Sequence, residues 1–268
     1  MVSLYDYYEA LDYCKEFFAD SLKEYKISLV VLFGSATYPG CFGFETSDLD
    51  IIALTDLVED NLDAIAKEIT KKVDFGGSYK MPIVIKDQIG ARIEFLLPHG
   101  NVSIDCTIMS SLFADRMTLM ETAVYDSADL LMGAVVERGI VIAGDKTKLK
   151  QIGSQFEPYY DDELRKRRLV VLAKYLQPKV ARMKELLKND SPELVDYFFR
   201  YRVAFLKYIF CFCKKYPVNY HKHLEYQASE ILKLSENDKN ILLLRSRDKW
   251  RDSIGDFIEM YERCLSCG

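Results

Sequence analysis

The 268-residue chain is short of several things, and each absence removes a class of function. No run of 18 apolar residues occurs, so no transmembrane helix and no membrane partner are expected. Met1 to Tyr8 has neither the basic start nor the apolar core of a secretory leader, and the expected location is the cytoplasm. Basic charge is not in excess: 36 Lys and Arg stand against 41 Asp and Glu, a net charge of −5. That balance excludes the strongly basic body of a dedicated DNA-coating protein. Cys264 and Cys267 form a CxxC, but no second CxxC or Cys/His pair accompanies it, as a structural zinc site requires. The remaining cysteines, Cys14, Cys41, Cys106, Cys211 and Cys213, sit mostly in apolar surroundings, as reduced core thiols do. There is no internal repeat and no low-complexity tract.

What is present describes a globular chain. Hydrophobic residues make up 49%, enough for one large or two modest domains, and charged residues 29% with the signs mixed. The charge is uneven. Residues 1–155 hold 14 basic against 24 acidic residues, and residues 156–268 hold 22 against 17. Two units with different surfaces follow from that shift, joined near residues 152–158, where Gly153, Ser154 and Pro158 interrupt the pattern.

Residues 1–155 read as mixed α/β. Leu4, Leu11, Phe18 and Leu22 have helical spacing. Residues 27–33 are a short branched apolar run, a buried strand closed by Gly34-Ser35. Further strands are expected at 49–54, 82–86, 92–97 and 102–109, the last two joined by the turn-rich Pro98-His99-Gly100-Asn101. Helices are expected at 61–73 and 112–136, and a last apolar stretch at 139–143. Residues 156–268 read as a helical bundle: 163–187 with Pro178 able to kink it, 193–216 opened by Ser191-Pro192, 221–234, and a final helix from a Ser235 cap to 265.

The chemistry concentrates in Leu32-Phe33-Gly34-Ser35 and Ser47-Asp48-Leu49-Asp50-Ile51-Ile52. Alternation puts Asp48 and Asp50 on one side of a strand. Two carboxylates on one face repel each other unless a cation lies between them. Magnesium prefers such hard oxygen ligands and leaves positions open for triphosphate oxygens. Gly34 permits close backbone approach to an anion, and Ser35 offers a hydroxyl and an N–H. In residues 102–108 the even positions, Val102, Ile104, Cys106 and Ile108, are all apolar apart from the weakly polar thiol, so Asp105 faces away from the core. If that strand neighbours 49–54, three carboxylates meet, a geometry suited to two magnesium ions. Glu94, Asp115 and Asp126 are the alternatives to Asp105. Glu94 reads more simply as a cross-strand partner for Arg92 or a lysine.

Gly34-Ser35, the gap, Asp48-Leu49-Asp50 and the distant Asp105 resemble the signature of the DNA polymerase β-type nucleotidyltransferase superfamily. The segment Val136-Glu137-Arg138-Gly139-Ile140-Val141-Ile142-Ala143-Gly144-Asp145 looks like the one that often closes that catalytic domain. The resemblance implies an α+β fold, a small mixed sheet flanked by helices, here followed by an all-α bundle. It implies metal ligands and catalytic groups at Asp48, Asp50 and Asp105, phosphate contacts at Gly34 and Ser35, and Mg2+ with a nucleoside triphosphate, nominally ATP. The layout is similar to the aminoglycoside and lincosamide nucleotidyltransferases, which favours a small-molecule acceptor over RNA or protein. The stretch from Gly34 to Asp48 carries no basic residue where some relatives have one.

A second class stays open: a regulatory module of the same fold that binds nucleotide without turning it over. A homodimer also stays open. In the helical half, Arg165-Lys166-Arg167-Arg168 and the Arg200/Lys207 face read first as solvated surface and second as cations for a triphosphate in a cleft between the halves. The aromatics of 197–220 read as core, and His221 and His223 as surface residues.

Overall fold

The computed structural model describes residues 4–43, 47–57, 61–72, 83–86, 90–96, 102–111, 133, 135–155, 162–245 and 248–267. They fall in two compact units, one ending at Gln155 and the other beginning at Asp162.

The first unit is built on a six-stranded mixed sheet. Its strands are β1 (Ile27–Phe33), β2 (Leu49–Thr55), β3 (Ile83–Lys86), β4 (Ala91–Leu96), β5 (Ser103–Ser110) and β6 (Ile140–Gly144), in the spatial order β3-β4-β5-β2-β1-β6. Among the described residues only β2 and β5 run parallel, and the other four pairs are antiparallel. The central strands are buried on both faces. Leu29 to Leu32, Ile51 to Leu54, Ile108 and Met109 are all fully covered, and so these strands read as nearly continuous apolar runs.

Helix α1 (Leu4–Glu24) and helix α2 (Leu62–Lys72) contribute to one core with the sheet. The covered stripe of α1 runs through Ala10, Cys14, Phe18 and Ser21, three to four residues apart, with Leu11 and Leu22 only flanking it. From α2 come Leu62, Ile65, Ala66 and Ile69. Beneath them lie Leu32, Ile51, Ala53, Ile93, Phe95, Ile104, Cys106 and Ile108. Each such side chain is worth about 1.5–3 kcal/mol when fully covered, before the entropy cost of ordering it. Among the described residues the Cys14, Cys41, Cys106 and Cys211 thiols are buried and form no disulfide, as the apolar surroundings lead one to expect. A helix at Lys146–Gln155 has no counterpart in the apolar pattern, because among its described side chains only Ile152 is buried. It is tied down instead by Lys148, whose Nζ donates to Ser28 Oγ at 2.6 Å and Asp56 Oδ1 at 2.7 Å. Of residues 112–136, only Gly133, Val135 and Val136 lie among the described residues, and these are helical. The turn at 98–101, Asp115 and Asp126 lie outside them.

The second unit is helical throughout. Its helices are Asp162–Lys188, Glu193–Phe212, Glu236–Leu242 and Trp250–Cys267, with a short α/π segment from Leu224 to Ile231. The first helix runs unbroken through an exposed Pro178, and buries Leu172, Leu176, Val180 and Met183 along one stripe. Aromatic contacts bind the second helix to the last: Phe198 to Phe257 at 5.2 Å between centroids, and Phe205 and Tyr208 to Tyr261 at 4.9 Å each. Pro192 stands at the N-cap of the second helix, and just ahead of it Ser191 Oγ accepts from Glu193 N at 3.3 Å.

Two expectations are corrected here. The helix expected over 221–234 is cut down because Gln227 is fully buried and works as a connector. Its amide accepts from Val218 N and donates to the carbonyls of Asn219 and Lys222, which organises 218–223 as a loop. The helix expected from Ser235 to 265 is two. Ser235 does cap it, its Oγ accepting from Asp238 N at 3.2 Å, but the first piece ends at Leu242. Leu244 adopts φ 60°, and Arg245 N donates to Asn240 O at 2.7 Å, closing the helix without a glycine.

Candidate active site

Strand register builds the site. Phe33 pairs with Asp50, Asp50 with Asp105, and Asp105 with Glu94. Directly paired residues on neighbouring strands share a face, so these four form a row across β1, β2, β5 and β4. Val31, Ile52, Thr107 and Arg92 form the next row on that face. The opposite face carries Leu32, Ile51, Cys106 and Ile93, all in the core with α1 and α2. The polar row is thus fixed by the same alternation that fixes the core, and a one-residue slip would exchange them.

Asp48 stands one residue before β2, two before Asp50, and projects to the same side. Its approach is pinned by a reciprocal pair: Ser47 N donates to Gly43 O at 2.8 Å, and Gly43 N donates to Ser47 Oγ at 3.0 Å. The result is a convergence of Asp48, Asp50 and Asp105, each half-buried, with one carboxylate oxygen of each within 4.8 Å of the others.

One cation reaches this cluster from β4. Arg92 Nε donates to Asp105 Oδ1 at 2.7 Å, its terminal nitrogen donates to Oδ2, and the same nitrogen lies 3.0 Å from Glu94. Arg92 therefore grips Asp105 with two parallel bonds, which fixes the carboxylate plane. Glu94 does pair with Arg92, though along β4 and not across strands as the sequence leads one to expect, while the hold on Asp105 was not foreseen. The signal for it was the shared face of Arg92, Glu94 and Asp105 across one hairpin. Burial raises the Asp105 carboxyl above its ordinary value, with Arg92 pulling the other way and Asp48 and Glu94 adding to the rise. The Asp105 carboxylate raises Arg92 in turn. Among the described residues four carboxylates gather around the Arg92 guanidinium, an excess of negative charge that a divalent cation would relieve.

Gly34 and Ser35 lie in a single 3-10 turn, Gly34–Thr37, at the end of β1. Gly34 is buried and has φ +69°. A Cβ there would lie 3.0 Å from Asp50 Cγ, 3.2 Å from its Cβ, and closer still to Oδ2. The absent side chain is what makes room for the Asp50 carboxylate, a reason for glycine beyond backbone approach to an anion. Thr37 Oγ1 donates to Gly34 O at 2.9 Å and Tyr38 N to Ser35 O at 3.3 Å, which rigidifies the turn. Ser35 is half-buried, and its hydroxyl makes no hydrogen bond to protein among the described residues.

The basic residues of the helical unit are differently employed from a solvated face. Arg165 donates to the carbonyls of Cys211 at 3.3 Å and Phe212 at 2.7 Å, capping that helix, and Arg168 is buried. Of the run 165–168 only Lys166 is exposed. Arg200 is exposed, while Lys207 sits 5.9 Å from the Tyr220 ring. His221 is exposed; His223 is half-buried in a left-handed conformation, and burial lowers its pKa.

The donor set suits a hard divalent cation: three carboxylates on rigid adjacent strands, with no thiolate or imidazole among them. No helix is long and apolar enough to cross a membrane among the described residues. No protein-family model matches the chain, and no curated protein matches it. Among solved structures it is similar to a nucleotidyltransferase-like protein from Exiguobacterium sibiricum 255-15, with a TM-score of 0.46 and 10% identity over 95% of this chain and 75% of that one. At that distance the likeness carries no argument about chemistry, which rests on the residues above.

Proposed function

We propose that this protein is a nucleotidyltransferase that moves a nucleoside monophosphate from a nucleoside triphosphate to an acceptor hydroxyl, using Mg2+ held by Asp48, Asp50 and Asp105. The observation that supports it most is the direct register of Asp50 against Asp105 on parallel strands, with Asp48 alongside and the Gly34–Ser35 turn abutting Asp50. The resemblance of these same residues to the polymerase β-type signature points the same way. A bound divalent cation supplies Lewis acidity to the phosphate and favours ionisation of an acceptor hydroxyl.

The chain's own residues do the rest. Asp48 and Asp50 anchor the triphosphate side of the cluster. The backbone of Gly34 and the hydroxyl of Ser35 receive phosphate oxygens. Asp105, held in one orientation by Arg92, lies at the acceptor side and takes the hydroxyl proton. The acceptor oxygen bonds to the α-phosphorus in line as the bond to the bridging oxygen breaks, and pyrophosphate leaves. A small-molecule acceptor is favoured by the acidic net charge, which gives little attraction for a polynucleotide.

The test is magnesium-dependent pyrophosphate release across a panel of nucleoside triphosphates and hydroxyl acceptors. The reading expects release from the wild type and its loss in Asp48→Asn, Asp50→Asn and Asp105→Asn. Tight triphosphate binding with no release under any acceptor would favour the regulatory module instead.

A further inference from the structure

We infer that Arg138 is a triphosphate-binding residue of the same site. The inference rests on the nucleotidyltransferase reading and adds a residue to it.

The argument starts from β6. Ile140 pairs with Leu32 on β1, antiparallel. Beyond Leu32 the chain leaves β1 into the Gly34–Thr37 turn, and Ile140 is entered from the helical turn that ends at Arg138, so both segments stand at the same end of the β1–β6 pair. Gly139 fixes the face. A Cβ at Gly139 would lie 2.6 Å from Val31 Cγ1 and would collide with the Val135 carbonyl. Val31 belongs to the row next to Phe33, Asp50 and Asp105. The helical turn that ends at Arg138 therefore packs on the carboxylate face of the sheet and not on the core beneath α1 and α2.

The side chain agrees with the backbone. The Arg138 guanidinium lies 5.7 Å from the centroid of the Tyr38 ring. Tyr38 is itself buried, and its N–H closes the Gly34–Thr37 turn by donating to Ser35 O. The arginine thus rests on the residue that shapes the turn. It is exposed, and among the described residues it makes no ion pair. Arg92 is consumed by Asp105 and Glu94, whereas Arg138 keeps its five N–H donors for an incoming anion. An aromatic seat orients the guanidinium plane while leaving its edge open, the arrangement suited to paired oxygens of a β- or γ-phosphate.

The experiment is calorimetric, with the full-length protein in the presence of Mg2+. Three probes are titrated: a non-hydrolysable α,β-methylene nucleoside triphosphate, inorganic tripolyphosphate, and the matching nucleoside monophosphate. A charged hydrogen-bonding contact contributes about 1.5–3 kcal/mol, so Arg138→Gln should weaken the first two by roughly 10- to 100-fold and leave the monophosphate unchanged. Arg138→Lys should recover part of the loss, since charge is kept and the paired donors are not. Lys23→Gln, an exposed cation on α1, controls for net charge and should change nothing. Among the described residues Arg138 makes no hydrogen bond that a glutamine would break, so the melting temperature should hold. Equal binding of triphosphate by wild type and Arg138→Gln overturns the assignment while leaving the nucleotidyltransferase reading intact. Equal weakening of monophosphate and triphosphate overturns it too, by placing the arginine elsewhere on the ligand. A wild type that binds none of the three overturns both.

Discussion

Substitution of Gly34 by alanine separates two costs that a glycine normally hides. Gly34 has φ +69° and Gly40, six residues on, has φ +74°. Either alanine pays the left-handed backbone cost, about 1–2 kcal/mol. At roughly 2–4 °C per kcal/mol for a unit of this size, each should lower the melting temperature by about 2–8 °C. Their surroundings differ. Among the described residues nothing lies within 4 Å of a Cβ at Gly40, whereas a Cβ at Gly34 meets Asp50 Cγ at 3.0 Å with Oδ2 nearer still. Gly34→Ala must therefore displace the Asp50 carboxylate, and a charge-assisted contact of about 1.5–3 kcal/mol converts to roughly 10- to 100-fold in cation affinity. Titration of Mn2+ into both variants and the wild type, with melts in parallel, reads the two effects apart. Gly40→Ala should melt lower yet bind the cation as the wild type does. Gly34→Ala binding Mn2+ as tightly as Gly40→Ala would refute the link between the glycine and the carboxylate.

Further outcomes follow from the same geometry. Ser35→Ala should weaken triphosphate binding by about 2- to 10-fold, the loss of one neutral hydrogen bond, without altering the melt; unchanged affinity by calorimetry removes the hydroxyl from the site. Without a divalent cation, the raised Asp105 carboxyl contributes stability that is full below the ordinary aspartate pKa and is lost as pH rises through the raised value. A cation reverses that preference, so the rise in melting temperature on adding Mn2+ should shrink as pH falls through the same window; a shift equal at all pH values contradicts it. Arg92→Gln removes the group that opposes that rise, so the onset of Mn2+ stabilisation should move to higher pH than in the wild type. Ser235→Ala deletes a cap whose oxygen accepts from Asp238 N, and should cost about 1 kcal/mol in a thermal or denaturant melt with no effect on cation binding.

The residues that made the site legible are those whose side chains obey strand alternation. The apolar runs of β1 and β2 marked buried strands, and the polar odd positions of β5 put Asp105 on the open face. What alternation cannot supply is register between strands, so the pairing of Asp50 with Asp105 was conditional on neighbourhood, and the shared face of Arg92 and Asp105 became a grip only once the β4–β5 register was known. Gly34 was legible as a special position, but its occupant neighbour, Asp50, is a contact between strands that no local pattern encodes. In the helical unit the misplaced ends share one cause. Asp190, Lys214 and Leu244 take left-handed conformations where glycine is the usual signal. In each case the next N–H reaches back five residues, from Ser191 to Leu186, Lys215 to Phe210 and Arg245 to Asn240. Ordinary side chains bear that strain because the packed helices before them hold it, and no residue type announces it in advance.

The central claim is that Asp48, Asp50 and Asp105 hold a divalent cation against a triphosphate, and anomalous diffraction tests it most directly. Crystals grown with Mn2+ and a non-hydrolysable nucleoside triphosphate should show an anomalous peak at about 2.0–2.4 Å from oxygens of these three carboxylates, with phosphate oxygens completing its shell. In a crystal of Asp50→Asn that peak should be lost or much reduced. Ordered nucleotide with manganese bound elsewhere, or no peak between β2 and β5 at saturating Mn2+, would contradict the account.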